Sequence, residues 1–311
     1  MRVLVALGGN AMASPEGRVR PDDQIAAARI AMAGVADLVA RDVDVVITHG
    51  NGPQVGNILV KNEIAASVVP PVPLDWCGAQ TQATLGFVLM NALDEALRRR
   101  KVPRRSATVV TRTLVDALDP GFTRPTKPIG RYLPEEEADV LVKHGETWED
   151  RGARGWRRVV ASPEPQEILD ADAVRTLVET GFVVVANGGG GIPVVREPAG
   201  LRGVEAVIDK DLGAALLART VAADVLVIAT DVASAVLRFG APDAEPLGRV
   251  DVRRMRALVR EGHFASGSMG PKVEAACRFV EQGGIRAVIT NLENILDAVA
   301  GEVGTVVVPS G

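Results

Sequence analysis

Short uninterrupted runs of Val, Leu, Ile and Ala recur along this 311-residue chain, and nearly every one gives way to a helical pattern or a glycine-bearing turn. That alternation limits the possible folds more than any other feature. The runs lie at residues 3–7, 43–48, 106–111, 182–186, 225–230, 287–290 and 305–308. They are continuous and rich in β-branched residues, as strands buried on both faces of a parallel sheet should be. Helical patterns fall between them at 22–41, 80–100, 170–180, 211–222 and 272–283. Such a chain predicts a doubly wound α/β fold with right-handed crossovers, in which ligands bind beyond the carboxyl ends of the strands. Apolar residues make up 47% of the chain but aromatic ones only 3%, so small aliphatic side chains must fill the interior.

One stretch breaks the rhythm. Residues 116–165 are rich in Pro, Gly and charge and carry Tyr132, Trp148 and Trp156. A long excursion with its own aromatic residues predicts a small packed lid instead of a disordered linker.

The formal charge of −4 offers no basic footprint for nucleic acid, and the runs at 98–105 and 253–260 read as solvated helix ends and faces. Cys77 and Cys277 cannot build a disulfide framework, which points to a reducing, cytoplasmic setting. No span approaches the roughly 20 apolar residues needed to cross a bilayer, so no membrane partner is expected.

The chemistry lies in the loops. LGGN (7–10) and THGNGPQVG (48–56) each follow a strand, and Gly8, Gly9, Gly50 and Gly52 let backbone approach an anion while Asn10 and Asn51 add amide donors. A tight strand-to-helix turn would explain the first loop equally well, but two such loops at neighbouring strand ends would make a pocket. His49, beside the second, reads as a loop-fixing residue instead of a general base. Lys127 sits in PTKPIG, where prolines on both sides stiffen the backbone around a cation, although a solvated loop lysine is the alternative. AVIDKDL (206–212) sets Asp209, Lys210 and Asp211 at the start of a helix. The carboxylates there can cap that helix or orient the lysine. GHFASGSMGPKVEA (262–275) places Lys272 beside a glycine- and serine-rich turn that leads into another helix, a combination suited to polyphosphate. Asp231 in ATDV is either a nucleotide contact or a turn residue. The Walker pattern GxxxxGK[ST] is absent, yet three lysines from three loops could surround one phosphoryl group, whose transfer needs alignment and charge neutralisation above all.

Together ALGGNA, THGNGPQVG, PLDWCGAQTQ, PTKPIG, GWRRVVASP, GGGGIPV, EAVIDKDL, ATDV and GHFASGSMGPKVEA, in this order along essentially the whole chain, resemble the carbamate kinases of the amino-acid kinase family. The resemblance implies an open three-layer α/β sandwich with a mainly parallel sheet, two lobes and a small protruding lid subdomain. An N-terminal lobe, residues 1–220, would bind carbamate or carbamoyl phosphate and carry the lid at about 117–163, and residues 221–311 would form the nucleotide-binding lobe. It also implies reversible phosphoryl transfer between carbamoyl phosphate plus ADP and carbamate plus ATP. Magnesium would accompany the nucleotide without a protein metal site, the assembly would be a homodimer, and the ATP-forming direction would serve arginine catabolism. Carried over by position, Gly8, Gly9, Asn10, Gly50, Asn51 and Gly52 would line the carbamoyl phosphate site. Lys127, Lys210, Asp211 and Lys272 would be catalytic, and Thr230, Asp231, Val232, Phe239 and Met269, with Lys210 and Lys272, would meet the nucleotide.

The sequence departs from the family's pattern at Trp76, Gln80 and Asn187, and at Arg238-Phe239, where an aromatic face is kept but a tyrosine hydroxyl is lost. Another acyl-phosphate kinase, or a nucleotide-binding sensor without catalysis, are the competing readings. The four charged residues of the catalytic set speak against the sensor.

Overall fold

The computed structural model describes residues 1–9, 20–264 and 269–311. Its centre is an eight-stranded sheet in the order Arg249–Asp251, Thr305–Val308, Arg286–Asn291, Val225–Thr230, Arg2–Leu7, Asp44–His49, Val183–Val185, Ser106–Thr108. Each of the seven runs expected from sequence contributes a strand to this sheet, although the run at 106–111 does so only through Ser106–Thr108. The eighth strand, Arg249–Asp251, escaped notice because it is short and only Val250 is buried. Neighbouring strands run parallel throughout, apart from the antiparallel pair Arg286–Asn291 and Thr305–Val308.

Strand side chains alternate between two cores, as the pleat requires. Leu4, Ala6, Val46, Leu226 and Ile228 face helices Ala171–Glu179, Lys210–Thr220, Val252–Arg260 and Met269–Glu281. Val3, Val5, Leu7, Ile47 and Val227 face Pro21–Val39, Leu74–Arg99 and Ile295–Ala300. The result is three layers, helix on sheet on helix. Helix Leu74–Arg99 begins six residues before the expected 80, because Pro73 fixes an extended backbone at its cap and Leu74 and Cys77 already face inward. Helix Gly52–Ala65 was not expected at all. It starts inside the second glycine loop, with Pro53 in its first turn, where a missing N–H does no harm. Among the described residues, no helix is long and apolar enough to cross a membrane.

The excursion after Asp116 forms a three-stranded antiparallel sheet, Lys127–Leu133, Trp156–Val160 and Thr147–Asp150, with helix Glu135–Lys143 packed on it. Leu133, Ala138 and Trp148 make its own small core, against which Trp156 packs, while Tyr132 stays at the surface under the Arg157 guanidinium, 4.9 Å from its ring centre. A second cluster, in which Ile129 and Val160 meet Val55, Leu59, Leu74 and Cys77, holds this lid against the body.

Strand Val183–Val185 runs into a buried turn at Asn187 to Gly191 that locks four segments together. Asn187 has φ +56° and is fully buried. Its N–H donates to Thr111 Oγ1 (2.6 Å), its carbonyl accepts from Thr48 Oγ1 (2.9 Å), its Nδ2 donates to Gly213 O (3.1 Å) and its Oδ1 accepts from Thr113 Oγ1 (3.1 Å). Gln82 closes the other side, donating to Gly188 O (3.0 Å) and Thr111 O (3.1 Å) and accepting from Thr111 N–H (2.8 Å). Gly191, with φ +94°, has no room for more than hydrogen, since a Cβ there would lie 1.9 Å from Thr113 Oγ1. Asn187→Ala would remove the hydrogen bonds to Gly213 O and from Thr113 Oγ1, leaving Thr113 only Gly190 O, and would set alanine, which tolerates it less well than asparagine, in a left-handed conformation. Chemical denaturation should register a loss of about 2–4 kcal/mol. A loss below about 1 kcal/mol would show that the turn does not depend on this side chain.

Candidate active site

Chain order reverses between the adjacent strands Arg2–Leu7 and Val225–Thr230: the segments after the first build one side of the sheet, and those after the second build the other. A crevice opens at the carboxyl ends of such a pair. Here it is a cleft of about 500 Å³ bounded by Gly8 and Gly9, by Gly50 to Pro53, by Gly189, by Val207 to Asp211, by Thr230, by Pro271 and Lys272, and, from the lid, by Thr126 to Ile129 and Arg151.

Lys127, Lys210 and Lys272 reach this cleft from three separate elements, and two buried carboxylates hold them. Asp211, 3% exposed, has its Oδ1 2.5 Å from Lys210 Nζ and its Oδ2 3.5 Å from Lys272 Nζ. Asp209, 8% exposed, accepts from Lys127 Nζ through Oδ2 at 2.6 Å. Its Oδ1 accepts from the backbone N–H of Asp211 (2.9 Å) and Leu212 (3.4 Å), capping helix Lys210–Thr220. Burial pushes the Asp209 carboxyl up, but the Lys127 charge and hydrogen bond, the Asp211 N–H and Lys210 together hold it below the usual carboxylate range. Burial pushes Lys272 below its ordinary 10.5, and Lys210 pushes the same way, while Asp211 is the strongest influence opposing them.

The glycine loops give the cleft a floor of bare backbone. Gly8 N–H donates to Ala229 O (2.7 Å) and Gly50 N–H to Leu7 O (2.8 Å), so these two donors extend the sheet and do not face a ligand. Their contribution is space: a Cβ at Gly50 would lie 2.7 Å from Gly9 N and 2.8 Å from Lys210 Cδ. Asn51 Nδ2 donates to Thr81 Oγ1 (2.9 Å), which secures the second loop to helix Leu74–Arg99. His49 is buried, its Nδ1 donates to Gly50 O (3.1 Å), and burial drives it down to about 4. It is neutral near pH 7 and braces the loop.

Of the residues singled out from sequence, Gly8, Gly9, Gly50, Asn51, Gly52, Lys127, Lys210, Asp211, Thr230 and Lys272 all border this cleft. Asp231, Val232 and Phe239 are exposed, the last by 78%, and Met269 packs half-buried against the core. None of these four is among the residues walling the cleft. Asn10 lies outside the described residues. Sequence reasoning missed Arg151, whose Nη2 donates to Glu149 Oε2 (2.6 Å) in the lid's turn, and the pairing of Asp209 with Lys127. An arginine in a run of charged residues gives no local signal. An aspartate that fits a helix cap conceals its other oxygen.

Buried carboxylates orienting several lysines over a glycine-lined crevice define an enzyme that handles phosphate groups. Comparison with known proteins bears this out. Residues 1–291 match the amino acid kinase family. Carbamate kinase of Thermococcus kodakarensis is 47% identical over 99% of both chains, and the carbamate kinase-like protein YahI of Escherichia coli is 46% identical over 97% of both. Carbamate kinase from Giardia lamblia, in a structure bound to AMP-PNP, superposes with a TM-score of 0.93 at 41% identity, covering 99% of this chain and 98% of that one. The chain belongs to the amino acid kinase family, and it is a kinase.

Asp211→Asn would remove the anion that opposes the lowering of Lys272, so that ammonium should lose its proton at a lower pH than in the parent. The alkaline limb of the kcat–pH profile should move to lower pH, turnover near neutrality should fall by about 10², and the thermal midpoint should drop, because Lys210 and Lys272 then lack the anion between them. An unmoved alkaline limb would mean that Asp211 does not govern the charge of Lys272.

Proposed function

We propose that this kinase transfers a phosphoryl group reversibly between carbamoyl phosphate and ADP, forming carbamate and ATP. The observation that carries the reading is the meeting of Lys127, Lys210 and Lys272 in one cleft, within a chain 44–47% identical to carbamate kinases along 99% of its length. In the ATP-forming direction an oxygen of the ADP β-phosphate bonds to phosphorus as the bond from phosphorus to the carbamoyl oxygen breaks, and carbamate departs as an anion with the electron pair. No proton changes hands, so a neutral His49 costs the reaction nothing. The transition state is loose and spreads its charge over the peripheral oxygens, and the protein's work is alignment and electrostatic stabilisation.

In this reading Lys210 and Lys272 flank the transferring group and Asp211 keeps them apart and oriented. Lys127 meets carbamoyl phosphate from the lid, above a floor of Gly8, Gly9, Gly50, Asn51 and Gly52. The nucleotide rests on the C-terminal half, residues 221–311, with Thr230 at the cleft and Asp231, Val232, Phe239 and Met269 beyond it. Magnesium arrives on the nucleotide's phosphates. Asp209 and Asp211 are already shared with lysines, and among the described residues no group of three His, Cys, Asp or Glu side chains is arranged to hold a cation. We further propose a cytoplasmic homodimer working in arginine catabolism. An acyl phosphate is a strong phosphoryl donor, which favours ATP formation, and the exposed Trp76 and Phe87 on helix Leu74–Arg99 offer apolar surface for a second copy.

A coupled assay for ATP formed from carbamoyl phosphate and ADP tests the reading, with acetyl phosphate, and with amino-acid carboxylates plus ATP, run alongside. Turnover only with one of the latter would assign a different acyl-phosphate chemistry. Lys210→Ala and Lys272→Ala should each lower kcat by about 10² to 10³, the scale for one preorganised electrostatic contact. A folded variant with parental kcat would remove that lysine from the reaction.

A further inference from the structure

Asp209 stands outside the residues assigned above to the reaction, yet it joins two parts of the site. Its two oxygens have separate tasks. Oδ1 caps helix Lys210–Thr220 through the N–H groups of Asp211 and Leu212, and Oδ2 takes a hydrogen bond from Lys127, 82 residues earlier in the chain. Backbone register brings them together. Lys127 pairs with Val160 in the lid sheet, Ala161 bridges in parallel to Ala206, and Val207 N–H donates to Ala161 O at 3.0 Å. The root of the lid is thereby locked beside the segment that leads into Asp209. What backbone cannot lock is the four-carbon stem of Lys127, a side chain 37% exposed, whose ammonium would sample many rotamers if left unheld.

We infer that Asp209 is the positioning residue of Lys127: it aims the lid lysine's ammonium at the phosphate-bearing substrate and, through the same carboxylate, keys that lysine to the helix carrying Lys210 and Asp211. An ammonium has three N–H donors, so Lys127 can keep Asp209 with one and offer the others to an incoming phosphate. The inference rests on the phosphoryl-transfer reading of the cleft.

Asp209→Asn separates the two tasks. Asparagine caps a helix as well as aspartate does, but its amide nitrogen cannot accept from an ammonium. The variant should keep its thermal midpoint, raise KM for carbamoyl phosphate about tenfold and leave KM for ADP within about twofold. In a Lys127→Ala background the same substitution should add nothing, because its effect passes through the lysine. An equal rise in KM in both backgrounds would overturn the inference, and so would unchanged KM values. Side-chain NMR of Lys127 gives a readout free of turnover, with restricted motion expected in the parent and release in Asp209→Asn. Equal mobility in the two would sink the positioning role whatever the enzyme turns over. A restricted Lys127 in a parent that makes no ATP from carbamoyl phosphate would instead overturn the substrate and leave the pairing standing.

Discussion

Like charges must be brought together in this cleft without tearing it open, and the two shared aspartates make that possible. Among the described residues that border the cleft, Lys127, Lys210 and Lys272 against Asp209 and Asp211 leave one positive charge in surplus, before Arg151 is counted. At about 4 Å and an effective dielectric near 20 an ion pair is worth about 4 kcal/mol, so each shared carboxylate offsets repulsion that the ammoniums around it would otherwise exert on one another. The surplus that remains suits a polyanionic ligand, which completes the neutralisation on arrival.

Where the carboxylates sit follows from the fold. Asp209 and Asp211 flank the first residue of helix Lys210–Thr220, and that helix packs its Ala214, Leu217 and Ala218 beneath the sheet while Gly213 comes close to the Gly190 backbone. A Cβ at Gly213 would lie 2.8 Å from Gly190 Cα. The absence of side chains at both positions lets the helix start lie against the Asn187 turn, which Thr48, Thr111, Thr113 and Gln82 hold in place. Polar residues buried around one turn thus fix the position of charges a few residues away.

The central sheet was legible because its strands are buried on both faces and need no alternation, so continuous runs such as 225–230 stand out from their surroundings. Elements were lost where another signal overlay the pattern. Helix Gly52–Ala65 begins among Gly, Pro and Asn, which read as loop; the run at 253–260 read as a solvated helix face, and its arginines hid the buried stripe of Val252, Met255 and Leu258 on the other side. Individual lysines could be picked out beside glycine and proline. Their partners could not, because the register that places Lys127 against Asp209 belongs to tertiary structure.

Arg2–Leu7 lies in the middle of the sheet, paired on one side with Asp44–His49 and on the other with Val225–Thr230. Its first N–H, at Arg2, donates to Asp224 Oδ2 at 2.7 Å, across 222 residues of sequence. On a ribosome, Asp44–His49 can pair with one side of Arg2–Leu7 early, whereas the seam on the other side of Arg2–Leu7 must wait until residue 230 has emerged. Until then the inner edge of Arg2–Leu7 is an unpaired template of apolar backbone that calls for protection from wrong partners. The cleft straddles that seam, so no nascent fragment holds both of its walls, and the capacity to act on a phosphoryl group comes into being only in the last stage of folding.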